Sequence, residues 1–157
     1  MASHLSPQWA TTIDRPRYDV SLLYLEEALQ AFRADCILSA TVMLGVATEH
    51  AFLLLIEAID KNPKHRTISS LIRKECGILR KINKFCKVLE QERIGLPEEI
   101  REDLDICLSA ILTIMHNFRN ESDYPSDKII DRKQSYILLQ LFPDCCKKME
   151  QLLQHYG

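Results

Sequence analysis

Leu22, Leu25, Leu29 and Phe32 recur at steps of three and four, the spacing that stacks side chains along one stripe of an α-helix. A first helix is therefore expected from about Arg17, with Glu26 and Glu27 turned away from the stripe. Between Asp35 and Ile59 the apolar residues run almost all round the helical wheel, which predicts a second helix in the middle of a bundle. Pro63 stops it. A third opens near Thr67 as N-cap and carries Ile68, Leu71, Ile72, Leu79, Ile82, Phe85 and Leu89; Gly77 is a place where it can break in two. "GLPEE" marks another start, because Pro97 has no N–H to lose in a first turn and Glu98 and Glu99 suit the positive end of the helix dipole. Ile100, Leu104, Cys107, Leu108, Ile111, Met115 and Phe118 then share one face of a fourth helix. A fifth begins after Ser126-Asp127 and runs towards Tyr156, with Pro143 expected to kink it or divide it.

No period-two strand pattern, internal repeat or low-complexity tract interrupts this reading. The expected fold is all-α, a single-domain bundle of about five helices over residues 17–157 behind an N-terminal arm at 1–16. A length of 157 residues suits one domain with a real core and is short for two. Only 4 glycines and 6 prolines punctuate it, which argues for long elements over a turn-rich β fold.

Charge changes the picture locally. The net value of -2 gives no global field to recruit nucleic acid or an anionic membrane. Between Lys61 and Arg93, however, ten Lys and Arg face Glu75, Glu90 and Glu92, a balance of +7, and between Ile94 and Asp127 the balance is about -6. Two readings follow. The basic and acidic elements can pack together or meet across a dimer, or the basic face can hold a phosphate backbone, with Lys84 and Lys87 on it.

The six cysteines, Cys36, Cys76, Cys86, Cys107, Cys145 and Cys146, make no CxxC pair. Cys36, Cys86 and Cys107 fall in apolar helical patterns, where a thiol acts as a small hydrophobe. All six read as reduced. The opening "MASHLSPQWATTIDRPR" has neither the basic nor the apolar region of a secretory leader. The stretch from Cys36 to Ile59 has the length of a membrane span, but Glu49 and His50 sit at its middle, where charge is costly. A cytoplasmic chain with no membrane association is the expectation.

Chemical signatures are sparse. There is no glycine-rich phosphate loop, HExxH, GxSxG or ExxH pairing, so neither a metal nor a cofactor is expected. What remains is "HNFRNESDYPS", His116 to Ser126, where the fourth helix ends. His116 lies one turn before Arg119 and Asn120, so the three can share a face. Arg119 offers a planar fork of donors suited to phosphate. In the structural reading Arg119 pairs with a buried Glu and Asn120 caps the helix. Glu49, inside an apolar helix, needs a partner; a contact with Arg119 or His116 is expected.

These residues resemble a known family. "RNESDYP" after a helix that opened "LPEEI", with the long "GVATEHAFLLLIEAI" helix before it, is similar to the HEPN (higher eukaryotes and prokaryotes nucleotide-binding) family over roughly Arg17 to Tyr156. The family signature is an Arg, usually followed by a polar residue such as Asn, then four to six residues, then His, often with Pro next. Arg119, Asn120 and Pro125 match it. Tyr124 stands where the His is expected.

The resemblance implies metal-independent cleavage of RNA in active members, with the 2′-hydroxyl as nucleophile, His moving the proton and Arg steadying the phosphate. Tyr, with an unperturbed pKa of about 10, is a poor base at neutral pH but can orient phosphate or stack on a base. Similarity to the family therefore implies an RNA- or nucleotide-associated module of a defence or stress (toxin–antitoxin type) system with weakened or lost catalysis. It also implies a homodimer whose two Arg119–Asn120 corners face each other. The alternatives are an active endoribonuclease using Arg119 with His116 or Tyr124, and a helical domain that binds only a protein partner.

Overall fold

The first two apolar stripes meet in a hairpin. α1 (Arg15–Arg33) and α2 (Ile37–Lys61) pack against each other more extensively than any other pair. Their turn ends α1 with Asp35 at φ 61, the Asp35 N–H bonded to the Phe32 carbonyl at 3.0 Å and the Cys36 N–H to the Ala31 carbonyl at 2.8 Å. These paired bonds around a left-handed residue satisfy the last carbonyls of the helix. Cys36 is exposed at this turn. The expectation that it packs as a small hydrophobe fails because α2 starts one residue later, at Ile37.

The computed structural model describes residues 15–123 and 130–157, with side chains described for 17–118 and 130–157. Within these residues the chain is an all-α bundle with no strand. After a single 3-10 turn (Pro63–His65) come α3 (Arg66–Arg73) and α4 (Ile78–Glu92). A second 3-10 turn (Arg93–Gly95) leads to α5 (Glu98–Arg101), α6 (Leu104–Asp123) and α7 (Arg132–Tyr156). The arm expected at 1–16 lies almost wholly outside the described residues.

Seven α-helices replace the expected five or so because two patterns are cut. Gly77, at φ 86, opens α4 and separates it from α3, a backbone conformation that costs glycine little. The second cut was not foreseen. Pro97 starts α5, but Glu102 turns extended and Asp103 takes φ 56 before α6 begins. The bend lets both Ile100 and Leu104 reach the core, each at most 5% exposed. Thr67 is not an N-cap. It lies in the first turn of α3, whose N-cap position is His65 with no side-chain cap bond; the capping side chain is that of Asn62, which opens the preceding 3-10 turn by accepting from the Lys64 N–H at 3.0 Å.

Pro143 neither divides α7 nor ends it. A proline inside a helix costs about 3 kcal/mol. Leu139, Phe142, Cys146 and Met149 are all buried on either side of it, and burying each large apolar side chain contributes roughly 1.5–3 kcal/mol. Packing therefore outweighs the lost bond. α7 starts at Arg132, where the Asp131 carboxylate accepts from the Lys133 N–H at 3.1 Å.

α2 is central, packing on α1, α3, α6 and α7. By length and composition it alone among the described helices could cross a membrane, and half of its most apolar window is buried inside the bundle. Phe52, Phe85 and Tyr156 meet edge to face at 5.8 and 5.9 Å between centroids, joining α2, α4 and α7. Asn62 Nδ2 closes the end of α7 by donating to the carbonyls of Tyr156 and Gly157, at 3.0 and 2.8 Å.

Candidate functional site

The corner identified from sequence hangs on one close approach. Gly45 of α2 faces Phe118 of α6, and a β-carbon at position 45 would fall against Phe118 Cβ and Cγ and 2.6 Å from Cδ2. Only a residue without a side chain allows α6 to lie this close to α2. Phe118 thereby fixes the last turns of α6, whose backbone continues through Arg119 and Asn120 to Asp123. The side chains of Arg119 and Asn120, and all of Tyr124 and Pro125, lie outside the described residues.

His116 is exposed on α6 and Glu49 half-buried on α2. The expected Glu49–His116 contact is not made. Facing outward, His116 has water to solvate it and needs no buried partner; the expected Glu49–Arg119 contact lies outside the described side chains. Asn117, which the sequence reading passed over, has its Nδ2 buried without an acceptor among the described residues. It lines a small pocket with Thr41, Ile114 and Ser135 at the meeting of α2, α6 and α7.

The basic stretch folds into the neighbouring helices α3 and α4. Arg80, Lys84 and Lys87 recur along α4 at steps of four and three, so they share a flank about 10 Å long. Lys87 is exposed and Lys84 half-exposed. Arg66, Ser69, Ser70 and Arg73 of α3, with Lys74 just past its end, surround a shallow cleft with Asp60 of α2. Asp60 is the only acid there, and it is engaged. It accepts from the Ser69 hydroxyl and from Arg73 Nε at 3.1 Å, with Arg73 Nη2 at 2.9 Å. Burial works to raise its pKa, but Arg73, Ser69 and the Lys81 charge outweigh that and hold it below the ordinary carboxylate value.

Most of the remaining cations of α3 and α4 have no ion-pair partner among the described residues. Arg66, Lys74, Arg80, Lys84 and Lys87 make no side-chain ion pair or hydrogen bond to the described residues, whereas Lys61 pairs with Glu57 at 2.6 Å and Arg93 with Asp105 at 2.8 Å. Sequence reasoning counted these charges but singled out only Lys84 and Lys87. The signal that adds Arg80 is its helical spacing; Arg66 and Lys74 are added by the cleft that they line with Asp60 at the neighbouring α3.

Other polar contacts hold the bundle together. Arg17 Nη1 reaches Glu150 Oε1 at 3.2 Å, with Glu150 only 6% exposed. Tyr156 donates to Glu92 Oε2 at 2.5 Å; burial first, and then this carboxylate, push the phenol pKa well up. Tyr18 is also shifted well up, by burial and then by Glu150, yet its hydroxyl meets no acceptor in hydrogen-bond geometry among the described residues.

The described residues offer little covalent chemistry. Ser21 Oγ lies 2.8 Å from His50 Nδ1, but Ser21 is 1% exposed, so no substrate reaches it. Among the described residues no three His, Cys, Asp or Glu side chains converge as metal ligands. Cys107, Cys145 and Cys146 are buried thiols; burial raises the Cys146 pKa, and the neighbouring Cys107 together with burial raises that of Cys145. The arrangement is suited to holding an extended anion by charge. Compared with protein-family models, curated proteins and solved structures, the chain matches none.

Proposed function

We propose that this protein is a HEPN-like RNA- or nucleotide-associated module of a defence or stress system, acting in the cytoplasm as a homodimer, with catalysis weakened or lost. The observation that carries the RNA reading is the basic surface of α3 and α4, where Arg66, Lys74, Arg80, Lys84 and Lys87 have no acidic partner among the described residues. Unpaired cations in a row repel one another, and a phosphate backbone relieves the repulsion while releasing its own counterions. The Arg119–Asn120 end of α6 is the second phosphate contact in this reading. Tyr124, in place of the family His, is the reason for weak catalysis.

The test is titration of a fluorescein-labelled single-stranded RNA over a salt series. Binding should weaken with salt, and neutralising Lys84 and Lys87 to Gln should make the log–log slope shallower by about 1.4, since each single-strand phosphate contact contributes about 0.7. An unchanged slope refutes the assignment. Incubation with mixed RNA in EDTA distinguishes the two catalytic readings. Cleavage that Arg119→Ala abolishes means an active endoribonuclease, for which the exposed His116, one turn before Arg119, is the available base.

A further inference from the structure

Away from the basic helices, a broad cleft opens where the α5–α6 junction meets α7. We propose that it is a docking groove for a basic, partly apolar peptide segment of a partner protein, an assignment that goes beyond the RNA reading. Glu99, Glu102 and Asp103 line it from the junction and Asp144 from α7; Lys147 is the one exposed cation among them. An anion has no place here, and a segment bearing several Lys or Arg does. A metal ion fits less well, since no three ligand-type side chains converge among the described residues.

The groove also has an apolar part to its lining. Ile106 and Leu141 line it, and Ile106 is 55% exposed despite belonging to α6. Aliphatic side chains set among carboxylates match an occupant that alternates cationic and aliphatic residues.

Two further groups complement a peptide backbone. Lys148 is 7% exposed and donates one N–H to the Glu99 carbonyl at 2.7 Å, whereas an ammonium has three. Gln151, one turn along α7, has its Oε1 buried with no donor among the described residues. Both line the groove. A donor and an acceptor one turn apart match the C=O and N–H that an extended segment presents. A second copy of this chain is the poorer occupant. Its basic residues sit on folded helices, and a contact between two different faces of one chain builds rings or filaments, not the two-fold dimer proposed above.

The experiment pans a random-peptide phage library on the full chain, with counter-selection on the double variant Glu102→Lys/Asp144→Lys. Both positions are exposed, so the variant should keep its helical circular dichroism. The expected result is a set of peptides rich in Lys or Arg with interspersed aliphatic residues. The best of them, made synthetically and labelled, should bind the double variant about tenfold more weakly or worse and Gln151→Leu about fivefold more weakly. It should bind Lys84→Gln/Lys87→Gln as it binds the native chain. Selected peptides without a basic consensus, or binding undiminished in the double variant, overturn the proposal. So does sedimentation showing that Glu102 and Asp144 instead mediate self-association.

Discussion

Replacing Gly45 by Ala should destabilise this protein even though the same change stabilises most helices. In a helix interior Ala is favoured over Gly by about 1 kcal/mol. Here the added methyl would meet Phe118 at Cβ and Cγ, beside the main chain of α6, as well as 2.6 Å from Cδ2. The ring could swing away by rotation about Cα–Cβ, but Cβ itself cannot move without the helix that bears it. Overpacking of this kind costs about 1–3 kcal/mol, and contact so close to the backbone belongs at the upper end. The expected net loss is therefore about 1–2 kcal/mol. The decisive measurement repeats the substitution in a Phe118→Gly background, where the obstructing carbons are gone. Phe118→Gly alone should cost about 3 kcal/mol, from a half-buried ring and an added glycine. On top of it, Gly45→Ala should become stabilising by about 1 kcal/mol. Urea unfolding followed by far-UV circular dichroism reads all four corners of the cycle. If Gly45→Ala is neutral or favourable in the native chain, or costs the same in both backgrounds, the close-approach argument is wrong.

Further outcomes follow from the polar groups. Tyr156→Phe should lose about 1–2 kcal/mol by removing the bond to Glu92, whereas Tyr18→Phe should be neutral or slightly stabilising because its hydroxyl has no acceptor in hydrogen-bond geometry among the described residues; urea unfolding at neutral pH compares them. Both phenols have raised pKa values in the fold, chiefly through burial, so neither costs stability below the unfolded value of about 10, and stability is lost as pH climbs from there towards the folded values. An alkaline unfolding titration should flatten in the double Phe variant. The lowered Asp60 pKa works the other way. Its stabilisation is present above the unfolded value of about 3.9 and disappears as pH falls through the folded one, and Asp60→Asn should remove that part of the acid dependence. A native thiol titration should modify the exposed Cys36 and Cys76 first, then Cys86, whose half-buried thiol is pushed up to about 11 by burial, and the remaining three only on unfolding.

Helical periodicity alone carried the architecture. The steps of three and four from Leu22 to Phe32, and the all-round apolar stretch of α2, each became a helix with the expected face inward. The bend at Glu102–Asp103 was not legible, because an apolar stripe runs unbroken from Ile100 to Leu104 and the turn uses Asp, which tolerates a left-handed backbone better than most residues. Pro143 misled in the opposite direction, since its local cost is visible in sequence and the packing on either side is not. At the site, spacing found Lys84 and Lys87 and Gly77 marked the break, but the cleft that Arg66, Arg73 and Lys74 form with Asp60 of α2 is a tertiary contact that no periodicity encodes. The expected Glu49–His116 contact assumed that a carboxylate in an apolar stretch must face the core, and α2 leaves that position only half-buried.

α7 packs against α1, α2, α5 and α6, and the far end of the chain supplies Leu138, Leu139, Phe142, Met149 and Leu152 to the interior. On the ribosome, then, the greasy flanks of α2 and α6 emerge well before the piece that roofs them. A nascent chain stopped short of Arg132 should be a client of chaperones and proteases, not a smaller version of the folded protein.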